Sequence, residues 1–181
     1  MSGAGRPEDT TVEAGGLTLG IVCTRWHGHI TDRLLERALA AAGACGIREP
    51  VVVRVAGALE LPVVAQQLAR DLDAVVCLGA VIRGETAHFD HVCDSVTSGV
   101  TRVALDAATP VGNGVLTCDD VEQAMARSGF PDSKEDKGWE SVVAALDTAL
   151  TLRRLRSSGA ARPPRGTPPG GPVGGSPART A

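Results

Sequence analysis

His88 stands at the end of the turn within the run Gly79-Ala80-Val81-Ile82-Arg83-Gly84-Glu85-Thr86-Ala87-His88-Phe89-Asp90, where an apolar stretch, a glycine turn and a helix start follow one another. A neutral imidazole both gives and takes a proton near physiological pH, so a histidine here suits general acid-base work. Gly84 and Thr86 open the backbone just ahead of the helical pattern. Amides exposed at such a turn, reinforced by the positive end of the helix dipole, favour an anion, and phosphate is the fitting guest. A helix-start histidine satisfied by the backbone is the plainer role, and the neighbouring anion cradle argues against it. Metal binding has little support. His88, His91 and Cys93 are close in sequence, but His88 and Cys93 diverge on a helix and no second Cys/His pair has ligand spacing.

Further groups with chemistry stand at other turns. Trp26 follows the apolar run Leu17-Thr18-Leu19-Gly20-Ile21-Val22-Cys23-Thr24, and the chain has only two Trp, two Phe and no Tyr. A large ring just past a strand end is either a stacking platform for a planar ligand or a cover over the core edge. Glu60, in Gly57-Ala58-Leu59-Glu60-Leu61-Pro62, either binds a ligand or serves the helix dipole at a first turn marked by Pro62. Asn113 is the polar group in a glycine-broken strand, and those glycines let something approach its backbone. Arg127 either neutralises a helix end or clamps an anion. The five cysteines, Cys23, Cys45, Cys77, Cys93 and Cys118, are odd in number and lack metal or redox spacing, so they read as free and mostly buried thiols.

Four strands and five helices must position these groups. The strands are expected at 17–24, 51–55, 74–82 and 110–117, with Arg25 to His29 as a loop. Thr31 is a candidate cap for a helix striped by Leu34, Leu35, Ala38, Leu39 and Ala42 and ending near Gly43 to Gly46. A second helix runs from Pro62 to Asp73. A third begins at Asp90 with Val92, Val96, Val100 and Val103 on one side. Asp119 is the expected cap of a short helix, Val121 to Ala126, and the last amphipathic helix spans Trp139 to Leu152. Alternating strands and helices predict a three-layer α/β/α domain around a four-stranded parallel sheet. Trp26, Gly57 to Glu60 and Gly79 to His88 all follow strand carboxyl ends, where open α/β sheets bind ligands.

Composition narrows the partners. The 181 residues, 43% of them hydrophobic, suit one globular domain with a sizeable core. A net charge of -3 gives no basic footprint, and the few aromatics build no base-stacking surface, which argues against nucleic acid. Met1 to Gly16 has no apolar signal core, and no stretch is apolar enough for a membrane span, so a cytoplasmic location is expected. Residues 1–16 read as a flexible segment, 17–156 as the domain, and 157–181 as a disordered tail in which Gly, Pro, Ser and Arg replace the apolar pattern.

Four blocks taken together carry a resemblance. They are Gly57-Ala58-Leu59-Glu60-Leu61-Pro62, the stretch Gly79 to Asp90, Gly114-Val115-Leu116-Thr117, and Glu122-Gln123-Ala124 followed by Arg127 and Lys137-Gly138. In unbroken order over about residues 17–156 they resemble the lumazine synthase family. The resemblance implies a flavodoxin-like fold and condensation of 5-amino-6-(D-ribitylamino)uracil with 3,4-dihydroxy-2-butanone 4-phosphate, using no cofactor or metal. By that similarity Trp26 stacks on the pyrimidine, Ala58, Leu59 and Glu60 hold the ribityl chain, and Ala80, Val81, Ile82 and Asn113 line the ring pocket. Gly84, Glu85, Thr86, Arg127 and Lys137 hold the phosphate, and His88 shuttles protons. The family also implies a homopentamer whose sites are shared between neighbours, and it admits association with riboflavin synthase. The stretch Phe130 to Asp136 looks longer than in shell-forming members, which favours a free pentamer over an icosahedral capsid.

Several positions depart from the commonest family pattern. Trp26 stands where Phe is frequent, Asn113 where many members carry an aromatic, and Ala87 where proline is common. Glu85 is a carboxylate beside the phosphate cradle, tolerable where its side chain points away and only its amide faces the ligand. Two rival functions share this fold: a non-catalytic module that holds riboflavin or another flavin on Trp26, and a flavodoxin-like electron carrier.

Overall fold

The computed structural model of the chain describes residues 11–159. Strands β1 (Leu19–Thr24), β2 (Val51–Val55), β3 (Ala74–Ile82) and β4 (Val111–Cys118) form one all-parallel sheet in the order β2-β1-β3-β4. Between and after them run α1 (Gly28–Ala44), α2 (Leu61–Leu68), α3 (His88–Ala107), α4 (Val121–Met125) and α5 (Lys137–Gly159), with a single 3-10 turn at Ala58–Glu60. The expected α/β architecture is therefore the observed one.

Strand periodicity divides the core into two layers. Successive side chains point to opposite faces, so Leu19, Ile21, Val76 and Leu78 join Leu34, Val142 and Leu146 under α1 and α5. Val22, Val75 and Cys77 join Leu61, Ala65, Val96 and Val100 under α2 and α3. Each fully buried aliphatic side chain contributes about 1.5 to 3 kcal/mol by leaving water. β1 is buried throughout, as a central strand covered on both faces must be, whereas Val51 and Val52 on the edge strand β2 are exposed. The glycines of β4 admit α5: a Cβ on Gly112 would lie 2.3 Å from the Ser141 carbonyl oxygen, and one on Gly114 2.9 Å from Ser141 Oγ.

Local chemistry moves several boundaries from their expected places. α1 starts at Gly28, because His27 takes a left-handed conformation (φ 54°, ψ 53°) and its carbonyl accepts from the Ile30 and Thr31 amides. Thr31 is thus buried within the helix rather than capping it. α2 stops at Leu68, and α3 begins at His88, two residues before the expected Asp90. The cap of α4 is Asp120, whose Oδ1 accepts from the Gln123 amide at 2.7 Å, so Asp119 is free for another partner. α5 continues through Ser157 to Gly159, past the expected domain end at 156.

The segment expected to be flexible is held down in part: Ala14 is fully buried and its amide donates to the Cys45 carbonyl at 2.9 Å. Residues 1–10 and 160–181, including most of the expected tail, lie outside the described residues. All five cysteines are free, and all but the half-buried Cys93 are buried. Burial pushes the Cys23 thiol up to about 11 and the Cys77 thiol up to about 12, which makes both poor nucleophiles. Among the described residues no helix is long and apolar enough to cross a membrane.

Candidate active site

Three turns leave the carboxyl ends of β1, β2 and β3 side by side. Trp26 projects from the first and is 67% exposed, so it does not cover the core. Its indole lies against the second turn, where a Cβ on Gly57 would stand 3.5 Å from Trp26 Cδ1. Glu60 Oε2 accepts from the Gly57 amide at 2.7 Å, and the carboxylate thus holds the turn that seats the ring. Both roles read for Glu60 remain compatible, since its other oxygen makes no bond among the described residues. Leu59 is exposed and Ala58 half-buried beside it, while Ala80 is buried and Val81 and Ile82 half-buried at the end of β3.

The third turn carries the expected cradle. Residues 83–88 are exposed, and Thr86 Oγ1 accepts from the His88 amide at 3.4 Å as α3 begins. The amides of Gly84, Glu85 and Thr86 donate to nothing among the described residues. A Cβ on Gly84 would meet nothing within 4 Å. Open amides at the start of a 20-residue helix are suited to an anion. The Glu85 carboxylate forms no ion pair among the described residues, and the His88 imidazole makes no hydrogen bond there.

A second group of candidates comes from the chain that follows β4. Arg127 Nη1 donates to the Gln123 carbonyl at 2.8 Å, which satisfies the end of α4. The chain then doubles back through a Ser128–Asp136 antiparallel bridge, and the Lys137 amide donates to the Arg127 carbonyl at 3.0 Å. Lys137 Nζ pairs with Glu135 at 2.8 Å and Glu140 at 2.6 Å. Burial opposes its charge, but the two carboxylates outweigh burial and hold the ammonium above the ordinary lysine range. Arg127 makes no hydrogen bond or ion pair with the 84–88 turn.

Asn113 is exposed in mid-strand, its Oδ1 accepts from the Val115 amide at 3.0 Å, and it pairs in register with Cys77. It lies five residues before the carboxyl end of β4, which at a typical rise per residue is about 16 Å. None of these groups lines either of two cavities: one of about 100 Å³ between Asp73, Pro110 and Arg153, and a shallow one of about 400 Å³ along α3 at Thr101 and Leu105. Among the described residues no hydrogen bond or ion pair joins Arg127 or Asn113 to the turns that carry Trp26, Glu60 and His88.

Residue types and spacing did not reveal Arg83, Asp119 or Glu140. Asp119 read as a helix cap but pairs with Arg83 Nε at 2.8 Å. Among the described residues no group of three or more His, Cys, Asp or Glu could hold a metal ion.

Comparison with known proteins bears directly on this arrangement. The family model described as 6,7-dimethyl-8-ribityllumazine synthase matches residues 16–153. A 6,7-dimethyl-8-ribityllumazine synthase of Thermobifida fusca is 66% identical over 168 residues, covering 93% of this chain and 98% of that protein. The protein of the same name from Saccharopolyspora erythraea is 67% identical over 156 residues, covering 86% of this chain and 94% of its own length. That from Mycobacterium avium is 58% identical over 154 residues, covering 85% and 96% respectively.

Proposed function

The chain belongs to the 6,7-dimethyl-8-ribityllumazine synthase family, and from that premise we propose how its residues divide the reaction. The enzyme is a transferase that condenses 5-amino-6-(D-ribitylamino)uracil with 3,4-dihydroxy-2-butanone 4-phosphate to 6,7-dimethyl-8-ribityllumazine, releasing phosphate and water. This is the penultimate step of riboflavin biosynthesis. The reading of the pocket rests on one observation above all: an exposed indole, an anchored carboxylate and unbonded helix-start amides line up along adjacent strand ends.

Trp26 stacks on the pyrimidine, Ala58 to Glu60 take the ribityl hydroxyls, and Ala80 to Ile82 border the ring. The amides of Gly84, Glu85 and Thr86 receive the phosphate, and Arg127 supplies the fork that a phosphate accepts. The substrate amine attacks the ketone, and loss of water gives an imine. Phosphate departs, and ring closure with loss of a second water completes the product. His88 moves the protons. Holding both reactants together supplies about 7 kcal/mol or more of the barrier reduction, against about 3 to 5 for a positioned acid-base group.

Arg127 is turned to the end of its own helix and Asn113 stands in mid-strand, which supports a pocket completed by a second copy. In this reading Trp26, Glu60 and His88 of one chain face Asn113, Arg127 and Lys137 of the next, in a homopentamer. The 127–137 loop is fixed by its own chain, through Arg33 to the Gly129 carbonyl and Arg37 to Asp136 at 2.5 Å. A fixed loop of this length favours the free pentamer over a capsid. Both substrates are small and polar, which suits a cytoplasmic enzyme. An absorbance assay for lumazine formation tests the activity: product and phosphate must appear only when both substrates are present. A yellow protein that retains flavin and releases no phosphate would overturn the assignment.

A further inference from the structure

Arg83 is the first residue of the turn between β3 and His88, and it belongs to none of the groups assigned above. Its main chain is fixed, the amide donating to the Cys118 carbonyl at 2.9 Å. Its side chain is fixed from three sides. Nε donates to Asp119 Oδ1 at 2.8 Å, Nη1 stands 3.3 Å from Asp90 Oδ1, and the guanidinium carbon lies 4.1 Å from the centre of the Phe89 ring. Edge-on pairing with two carboxylates and face-on packing against a ring use the planar geometry that lysine lacks.

The partners have a pattern. Asp90 and Phe89 are the two residues directly after His88 in the first turn of α3. Asp119 belongs to the β4–α4 connection, and its own amide donates to Gln123 Oε1 at 3.1 Å, so α4 holds it in place. The residues from Gly84 to Ala87 contribute little to their own order, with the His88 amide donating to the Thr86 hydroxyl at 3.4 Å among the few bonds they make. An isolated exposed ion pair orients little. A branched pair that also packs on a ring, and that spans both ends of an otherwise open turn, restricts it far more.

We infer that Arg83 is the positioning residue for His88: by joining Asp119 to the Asp90–Phe89 turn, it sets the direction in which the imidazole meets the reacting atoms. The inference rests on the reading of His88 as the proton carrier. Arg83 itself does not touch substrate in this scheme. Trp26 and Glu60 sit on turns that Arg83 does not join, so binding of the ribitylaminouracil is independent of it.

Steady-state kinetics of variants, with folding checked by thermal melts, test this. Arg83→Ala lowers kcat about tenfold, since a misplaced catalytic group loses much of its advantage, and leaves KM for the ribitylaminouracil within about twofold. Arg83→Lys recovers part of the rate, because it restores one ion pair without the fork. In a His88→Ala background, Arg83→Ala costs nothing further, as coupling through one group requires. If it slows that background by the same factor as the wild type, or leaves wild-type kcat unchanged, the inference is wrong. Should Arg83→Ala not fold, Asp119→Ala removes the same link from the other side and is compared in the same two backgrounds. A wild-type protein that forms no lumazine overturns the function itself, and the inference with it, before any variant is compared.

Discussion

His88 has no fixed partner: its imidazole makes no hydrogen bond among the described residues, and it stands exposed at the start of α3. In the proposed role of proton carrier, such a group can be replaced in part by water while the reactants remain aligned. His88→Ala is therefore expected to slow turnover roughly ten- to a thousandfold without abolishing it. Wild-type turnover in the variant would remove His88 from the mechanism. Glu85 poses the opposite question, because it brings a negative charge to a turn proposed to hold an anion. Its exposure and lack of an ion pair among the described residues fit a side chain turned to solvent with only the amide engaged. Glu85→Gln removes the like charge and keeps the shape, so KM for the butanone phosphate should fall modestly or stay level. A large rise would mean that the carboxylate has a positive task.

Strands were the most legible elements, because runs such as Ala74-Val75-Val76-Cys77-Leu78 must be buried on both faces to make sense in water. Helix starts were less so. Thr31 and Asp119 both have capping chemistry, yet His27 starts α1 by backbone conformation and Asp120 outcompetes its neighbour for the Gln123 amide. Of the candidate site, the places of Trp26, Glu60 and the 84–88 turn after strand ends were readable. Arg83 and Glu140 were not, since their partners are brought near only by tertiary packing.

The β4 glycines show the same dependence on packing. A Cβ on Gly112 would press into the Ser141 backbone at 2.3 Å, so Gly112→Ala must push α5 off the sheet. A loss of about 1 to 3 kcal/mol, seen as a lower denaturant midpoint, is expected. An unchanged midpoint would show that α5 sits further from β4. Lys137 at the start of α5 gives a pH-dependent case. Its folded-state pKa is raised above the ordinary 10.5, with burial opposing and Glu135 and Glu140 prevailing. Its stabilisation is thus complete below the unfolded value and is lost as pH climbs through the folded one. Compared with Lys137→Met, the wild type should hold a stability advantage below pH 10.5 that shrinks above it. An advantage that grows with pH would reverse the sign of the shift.

Whether the proposed pocket is shared between chains is a question for the whole molecule. Within a chain, the Trp26–Glu60–His88 group lies at strand carboxyl ends, whereas Asn113 is in mid-strand and Arg127 is turned to its own helix end. Arg127→Ala alone should mainly raise KM for the phosphate substrate, since it deletes a charge-assisted clamp present in the ground state. Co-refolding His88→Ala with Arg127→Ala chains asks the larger question. In a closed ring each pocket takes His88 from one chain and Arg127 from the next, so random equal mixing leaves about one pocket in four fully intact. Such mixtures should regain about a quarter of wild-type activity, beyond either variant alone, with light scattering confirming assembly and its size. If confirmed mixed rings never exceed the average of their parents, each chain carries its own complete site. Arg127 must then swing from the Gln123 carbonyl to the cradle of its own chain on binding substrate.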